Sequence, residues 1–260
     1  MNTNLSVPLP EMNSRWRFDW VLPVLLRPRR AFANIIEATS GVSFTPIFLL
    51  TLSGLIRALV VGAIKEAAKA SGQVPLPPGF EYYTPEQQAS FYQAASATSG
   101  PVFVYLLPAI MTVVGVLLGW IILSWLLHLV MTMFGGRGSS QQAINVVAWA
   151  LLPFVIRDVV RIVAMWSSNS LIGHPGLSGF APTDDGMMTI YIAALLRNLD
   201  IYLLWSILLT GIGLSQSSQL RSGKAWFAIL LTLIIVQLVR ATPALIAAQF
   251  SDLTVIRPFF

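Results

Sequence analysis

Five charged residues stand inside long apolar stretches of this sequence, where a charge is costly. They are Arg57, Arg157, Asp158, Arg161 and Arg240. At the centre of a bilayer such a residue costs about 2.5–3.5 kcal/mol on insertion scales, so each one is a candidate for binding or transport. Arg197 and Asp200, at the outer start of another apolar stretch, complete the candidate set.

Three of these arginines are predicted to lie at a similar depth on different helices. Arg57, Arg157 and Arg240 follow the cytoplasmic start of their stretches by about 13–15 residues, or ~20–22 Å at 1.5 Å per residue. The hydrocarbon core of a bilayer is about 30 Å thick. The sequence therefore predicts a charged layer in the outer half of the membrane.

The candidate set contains five arginines and two aspartates, so internal pairing cannot neutralise it. We expect Asp158 and Asp200 each to bridge to an arginine on another span. The remaining arginines would meet an anionic lipid headgroup or the carboxylate of a partner. The alternative is that each arginine extends separately into the outer interface.

Residues for catalysis or metal binding are sparse. The two histidines, His128 and His174, have no second ligand at metal spacing, and there is no cysteine. The adjacent pair Asp184-Asp185 would not face each other on a helix. No nucleophile elbow or zinc-helix motif is present. We expect no enzyme activity, no cofactor and no metal site.

The composition is that of a membrane protein. Of 260 residues, 55% are hydrophobic and only 10% are charged, whereas soluble domains carry about 25% charged residues. Five stretches are long enough to cross a bilayer as helices. They are 44–64, 103–133, 143–166, 199–218 and 225–248. The predicted fold class is therefore an all-α bundle of five transmembrane helices.

The distribution of Lys and Arg predicts the orientation. Eight lie in the segments on the side of the N-terminus and four on the opposite side. The positive-inside rule then places residues 1–43 in the cytoplasm, the five-span domain at 44–250, and the tail 251–260 outside. The net charge of +5 fits anionic headgroups on the cytoplasmic side. Nucleic-acid binding would need a basic stripe on a soluble face, and the sequence shows none.

The segment 16–38 is predicted to be an amphipathic helix at the cytoplasmic interface. It combines aromatic residues with arginines, and Pro28 suits the first turn of a helix. The predicted interfacial residues are Trp16, Arg17, Trp20, Arg29, Arg30 and Phe32. The alternative is a linker that packs against the bundle.

Small residues at every fourth position predict close helix packing. Gly54, Ala58 and Gly62 lie in the first span, and Gly115 and Gly119 in the second. The contact is expected within this bundle, with association to another subunit or a second copy as the alternative.

The most distinctive string is Gly135-Gly136-Arg137-Gly138-Ser139. It lacks the Gly-Lys-Ser/Thr ending of a phosphate loop. Glycines can end the second span, and Ser139 or Ser140 can cap the third.

This turn with Gln141, Pro28 and Phe32 before the first span, and Pro153 inside the third resemble the bacterial branch of the Yip (Ypt-interacting protein) domain family. The resemblance covers roughly residues 20–245. It implies a five-span helical protein of the bacterial cytoplasmic membrane. Eukaryotic members bind Rab-type GTPases as scaffolds. This chain lacks their Asp-Leu-Tyr-Gly-Pro string, so the resemblance gives weak support for GTPase binding.

The leading functional hypothesis is a non-catalytic membrane scaffold or adaptor. A close variant is an accessory subunit of a larger membrane complex. The expected partners are lipids and other membrane subunits or a second copy. The alternative is a transporter or lipid-handling protein that uses the arginines of the outer half.

Overall fold

The described part of the protein is helical throughout. The structure, a computed structural model, describes residues 15–38, 41–70, 80–97, 100–182 and 186–253, without the side chains of 95–97 and 247–253. Its helices are α1 (Val21–Leu26), α2 (Pro28–Glu37), α3 (Phe44–Ala70), α4 (Pro85–Ala97), α5 (Leu107–Met133), α6 (Ser140–Ala150), α7 (Leu152–Ser168), α8 (Met187–Arg197), α9 (Ile201–Ser217) and α10 (Ser222–Leu253). A π-helical turn, Val102–Leu106, precedes α5. The all-α prediction is confirmed. The pair Asp184-Asp185 lies outside the described residues.

Three helical segments of the described chain are long and apolar enough to cross a membrane. They are Phe44–Ala70, Val102–Met133 and Ser222–Ile246. Helices α8 and α9, bent by 62° at their junction, make a fourth if they count as one span. These segments agree with the first, second, fifth and fourth predicted stretches.

The predicted third span, 143–166, is divided into two helices. Helix α6 ends at Ala150, and α7 starts at Leu152 with Pro153 in its first turn. Proline has no N–H, and its ring clashes with the carbonyl four residues earlier, so an α-helix cannot continue through it unchanged. The backbone N–H of Leu151 instead bonds back to Val147 and Ala148 at 3.2 and 3.3 Å.

The hydrophobic core lies at the end of the bundle next to the turn 135–139. Helix α6 is at its centre, with Val146, Val147, Trp149 and Ala150 completely buried. The remaining core residues come from α1, α2, the segment before α3, the end of α5, the start of α7, the second half of α9 and the start of α10. We call this end of the bundle the inner half, following the predicted orientation.

The interfacial prediction for 16–38 is correct in helicity but wrong for Phe32. The segment forms a 3₁₀ turn at Phe18–Trp20 followed by α1 and α2. Phe32 is completely buried, where α2 packs on α6 and α9. A Cβ on Gly213 would meet its ring, so only glycine permits this approach. The apolar face of α2 therefore contacts protein rather than lipid.

The turn 135–139 has the predicted structural role. Gly135 has φ +92°, a left-handed conformation that favours glycine. Gly138 lies so close to the backbone of Ser217 that a Cβ would be 2.9 Å from its carbonyl oxygen. The Arg137 N–H donates to the Ser218 carbonyl at 2.9 Å. Ser139 forms a capping box with Gln142 at the start of α6.

The two sets of small residues differ in their surroundings. In α3, Gly54 lies directly against Thr112 of α5, and Gly62 lies against Tyr105 of the π-helical turn that precedes α5. Ala58, between the two glycines in sequence, is buried. In α5, Gly115 has no heavy atom within 4 Å of a built Cβ. The first set packs within this chain, whereas Gly115 opens onto the surface.

Candidate functional site

The structure brings six of the seven predicted charged residues together in the half of the bundle away from the core. We call Arg57, Arg157, Asp158, Arg161, Asp200 and Arg240 the arginine cluster. They come from α3, α7, the start of α9 and α10. These helices and α5 contact one another in the order α3, α7, α9, α10, α5 and back to α3.

The first ion pair of the cluster joins α3 to α7. Arg57 Nε lies 3.1 Å from Asp158 Oδ1, and the Asp158 side chain is only 6% exposed. The two atoms are close, but neither makes an aligned hydrogen bond. Ser53, one turn before Arg57, donates from its hydroxyl to Asp158 Oδ2 at 3.4 Å. Asp158 is therefore held by two residues of α3.

Asp200 forms the second junction, between α9 and α7. Its Oδ1 caps α9 by accepting from the Leu203 N–H at 2.9 Å. Its Oδ2 lies 3.4 Å from Arg161 and 3.7 Å from Arg157. These contacts agree with the expectation that each aspartate bridges to an arginine on another helix.

The sequence of α7 explains why its charges act together. Phe154, Arg157 and Arg161 follow at spacings of three and four and so share one face of the helix. Asp158 lies beside this face, four residues after Phe154 and three before Arg161. The Arg157 guanidinium lies 4.3 Å from the centroid of the Phe154 ring, a cation–π contact. Arg157 and Arg161 repel each other, and Asp200 lies opposite both.

A tight turn stabilises the bend between α8 and α9 beside Asp200. The Leu177 N–H donates to the carbonyls of Leu196 and Leu199 at 2.9 and 3.1 Å. Gly176 has φ +64°, and a Cβ there would be 2.7–2.9 Å from three carbonyl oxygens. The bend frees carbonyls that a straight helix would pair, and this turn satisfies two of them.

Arg240 joins the cluster through its charge rather than through an ion pair. It lies within electrostatic range of Arg157, as Arg57 does. It lies beside Gly119 of α5, where a Cβ would be 3.9 Å from the guanidinium. The side chain is crowded by protein yet accessible. Arg240 has no ion pair with any residue whose side chain is described.

Arg197 is the predicted site residue that does not join the cluster. Its side chain is exposed at the end of α8. Without it, the cluster has four arginines and two aspartates, which leaves two positive charges uncompensated among the described side chains.

Two concavities lie near the predicted residues. A groove of about 430 Å³ separates the ends of α3 and α7; it is lined by Leu59, Val60, Ala63, Ile64, Trp166 and Asn169. His128 lines a cavity of about 10 Å³ beside the turn 135–139, about the size of one water molecule. Neither concavity is lined by an arginine of the cluster. Within the described residues, no group of three His, Cys, Asp or Glu residues could hold a metal.

Sequence reasoning missed Ser53, Phe154 and the turn at Gly176. The first two could have been found from their helical spacing to Arg57 and Arg157. The turn could not, because its contacts with Leu196 and Leu199 depend on how a long loop folds back.

A polar network in the inner half was also missed. The buried Asn145 accepts from the Val42 N–H at 3.2 Å and from Gln141 at 3.1 Å. Trp149 donates to the Val42 carbonyl at 3.0 Å. These bonds attach the segment before α3 to α6.

Comparison with known proteins gives one match. No curated protein and no solved structure matches significantly. The family model for the Yip1 domain matches residues 22–241. This range starts at the second residue of α1 and includes all six residues of the arginine cluster and the turn 135–139. It covers well over half of the chain. The chain therefore belongs to the Yip1 domain family.

Proposed function

We propose that this protein is a non-catalytic membrane scaffold or adaptor, able to act as an accessory subunit of a larger complex in the bacterial cytoplasmic membrane. The observation that carries this proposal is the surface of α5. The most apolar window of Val102–Met133 has none of its residues buried inside the chain. The side chains of this window all stay at least partly open to the surroundings of the bundle, so the helix is available to lipid and to neighbouring subunits.

Gly115 marks the part of α5 best suited to a protein neighbour. Nothing lies within 4 Å of a Cβ built there, and a glycine on a membrane helix lets another backbone approach closely. The flanking side chains Met111, Val114 and Leu118 are exposed and apolar. A second transmembrane helix could pack on this surface without any change in the bundle.

The test is co-purification in mild detergent after cross-linking in the native membrane. We expect the full-length protein to retain a membrane partner or a second copy, and Gly115→Leu to lose it. Gly223→Leu is the matched control, because it adds the same side chain at another open glycine. If the native chain retains no protein, or if both variants retain it equally, the scaffold proposal on α5 fails.

We further propose that the chain crosses the membrane five times, with α6 and α7 together as the third crossing. Two contacts support a parallel course for α3 and the α6–α7 segment. Val42 meets Asn145, 103 residues later, and Ser53 meets Asp158, 105 residues later. Because the sequence separation of the contacting residues is nearly constant, the α6–α7 segment runs parallel to α3. It would therefore cross the membrane wherever α3 crosses.

Helix α9 supports the return crossing. Asp200 meets Arg157 at one end, Gly213 lies against Val146, and the residues after α9 contact the turn 135–139. From the start to the end of α9, the contacting residues have falling sequence numbers, so α9 runs antiparallel to α6–α7. Reporter fusions would test this: 137 and 221 should be cytoplasmic, whereas 175 and the C-terminus should be external. A cytoplasmic C-terminus would overturn the five-crossing proposal.

The segment before α3 is proposed to rest on the cytoplasmic leaflet. Trp16, Phe18, Leu22 and Leu26 are exposed. They lie beside the exposed arginines Arg27, Arg29 and Arg30. Aromatic and basic residues favour the headgroup region. Quenching of Trp fluorescence by lipid-attached quenchers should fall in Trp16→Phe but not in the buried variant Trp149→Phe.

A lipid-handling or transport role remains the second candidate. The specific observation in its favour is the uncompensated positive charge of the arginine cluster. Against transport, the described groove between α3 and α7 is apolar and contains none of the cluster's arginines.

A further inference from the structure

We propose that the arginine cluster binds a phosphate-type oxyanion, the phosphate of a lipid headgroup or of a soluble molecule, through Arg57, Arg157 and Arg240. This goes beyond the scaffold role and requires only that the bundle lies in a membrane.

The positive and negative charges of the arginine cluster do not balance. Asp158 and Asp200 serve four arginines, and the side chains within reach leave an excess of two positive charges. In a membrane protein this excess lies where water is scarce and an unpaired charge is expensive. Water can solvate the guanidiniums, but only an anion neutralises them. A phosphate group carries one or two negative charges and so matches the excess.

The guanidinium groups of the cluster also have N–H donors that make no hydrogen bond with the described part of the chain. Each guanidinium offers five N–H groups. Among the described residues, the side-chain hydrogen bond from these arginines is that of Arg161 to Asp200 at 3.4 Å. Arg57 Nε faces Asp158 Oδ1 at 3.1 Å and Arg157 Nε is buried, so the donors left for an anion are the terminal N–H groups of the guanidiniums. Phosphate oxygens can accept several such bonds in the forked geometry that guanidinium favours.

Two of the three arginines are accessible from the surface of the bundle. Arg57 is 36% exposed, whereas Arg157 and Arg161 are 21% and 22% exposed. Arg240 is also exposed. An anion could therefore approach Arg57 and Arg240 from the surface, whereas Arg157 is less accessible.

The depth of these residues fits an anion from the outer leaflet or the external solution. Neighbours on α5 relate the two levels: Arg240 lies beside Gly119, whereas Gly54, next to Asp158, lies beside Thr112, seven residues or about 10 Å further along α5. Under the proposed topology, Gly119 is near the middle of the span Val102–Met133 and Thr112 is nearer its outer end. A headgroup drawn slightly inwards, or an ion in an external crevice, would meet them.

The experiment uses the full-length protein, purified in detergent and in nanodiscs. One arm measures retained anionic phospholipid by native mass spectrometry with phosphatidylglycerol. The other measures binding of inorganic phosphate in detergent without added lipid. We expect Arg240→Gln to weaken binding in at least one arm by about 10-fold, the loss expected for one charge-assisted contact.

Arg197→Gln is the matched control, because it removes the same charge at an exposed position outside the cluster. Asp200→Asn should change the affinity in the opposite direction. Asn can still cap α9, but the excess charge rises, so affinity should increase several-fold. Thermal unfolding of each variant confirms that it is folded.

The outcomes separate the two sources of the anion. Loss of lipid retention alone assigns a headgroup, and loss of phosphate binding assigns a soluble anion. If Arg240→Gln, Asp200→Asn and Arg197→Gln match the native protein in both arms, the ion pairs of the cluster only hold helices together. The proposal is then wrong. Co-purification of a partner by Arg240→Gln tests the scaffold role independently.

Discussion

The inner and outer halves of this bundle are built on different principles. In the inner half, α6 is surrounded by apolar side chains, and its buried polar group, Asn145, accepts hydrogen bonds from Val42 and Gln141. In the outer half, four arginines share two aspartates, and two of their Nε atoms are buried without a hydrogen bond. The break before Pro153 separates the two. We therefore expect stability to depend mainly on the inner half, and we propose that the outer half binds a charged ligand.

The largest expected effect is on the inner core. Trp149→Ala should lower the free energy of unfolding by about 3–5 kcal/mol, the usual loss for a buried large aromatic residue. Trp149 is completely buried, packs on Trp20 at 5.8 Å, and donates to the Val42 carbonyl. Unfolding in mixed micelles with increasing SDS measures the change.

The matched variant in the outer half is Trp166→Ala. Trp166 is 77% exposed, so its replacement should change the free energy of unfolding by less than about 0.5 kcal/mol. Equal losses for the two tryptophans would contradict the division into a stabilising half and a binding half.

An intermediate effect is expected for the ion pair of the outer half. Asp158→Asn leaves Arg57 without its partner and should cost about 1–3 kcal/mol. The loss stays below the 3–5 kcal/mol of a fully buried pair, since Arg57 is 36% exposed. Unfolding of Asp158→Asn, Arg57→Gln and the double variant gives the coupling energy. The double variant should lose less than the sum of the single losses; strict additivity would show that the pair does not interact.

A smaller effect tests the local structure of the inner turn. Ser139→Ala removes the cap of α6 and should cost about 1 kcal/mol. Ser140→Ala, one residue later, removes a hydroxyl that is not the cap and should leave the free energy of unfolding nearly unchanged. If both variants lose the same amount, the capping box contributes nothing to stability.

The smallest effect concerns pH at the segment before α3. The hydrogen bond from Arg17 lowers the pKa of Asp19 below its ordinary value of 3.8, and the Arg17 charge adds to this, while partial burial opposes it. A lowered pKa stabilises the folded state above 3.8, and this contribution disappears as the pH falls through the folded-state pKa. NMR titration should give an Asp19 pKa below 3.8 in the native protein and a higher one in Arg17→Gln. A value unchanged by Arg17→Gln would rule out the contact.

Local chemistry made much of this fold predictable. Ser139 caps α6 because the capping box depends on residues three apart, and the apolar stretches become helices because backbone polar groups must bond internally in lipid. The predicted third span runs through Pro153, although a proline inside a helix favours a break. The two helices found in place of one follow from the missing N–H of Pro153.

The sequence by itself determined the membrane class, the helical architecture and the positions of costly charges, because these follow from composition and from neighbours a few residues apart. Only the tertiary structure decided that Phe32 is buried against Gly213, that Asp200 serves two arginines as well as α9, and that Arg197 lies apart. Those outcomes depend on which helix faces are adjacent. A pattern of hydrophobicity along one helix shows that a face is apolar or charged, but not whether lipid, another helix or an opposite charge lies against it.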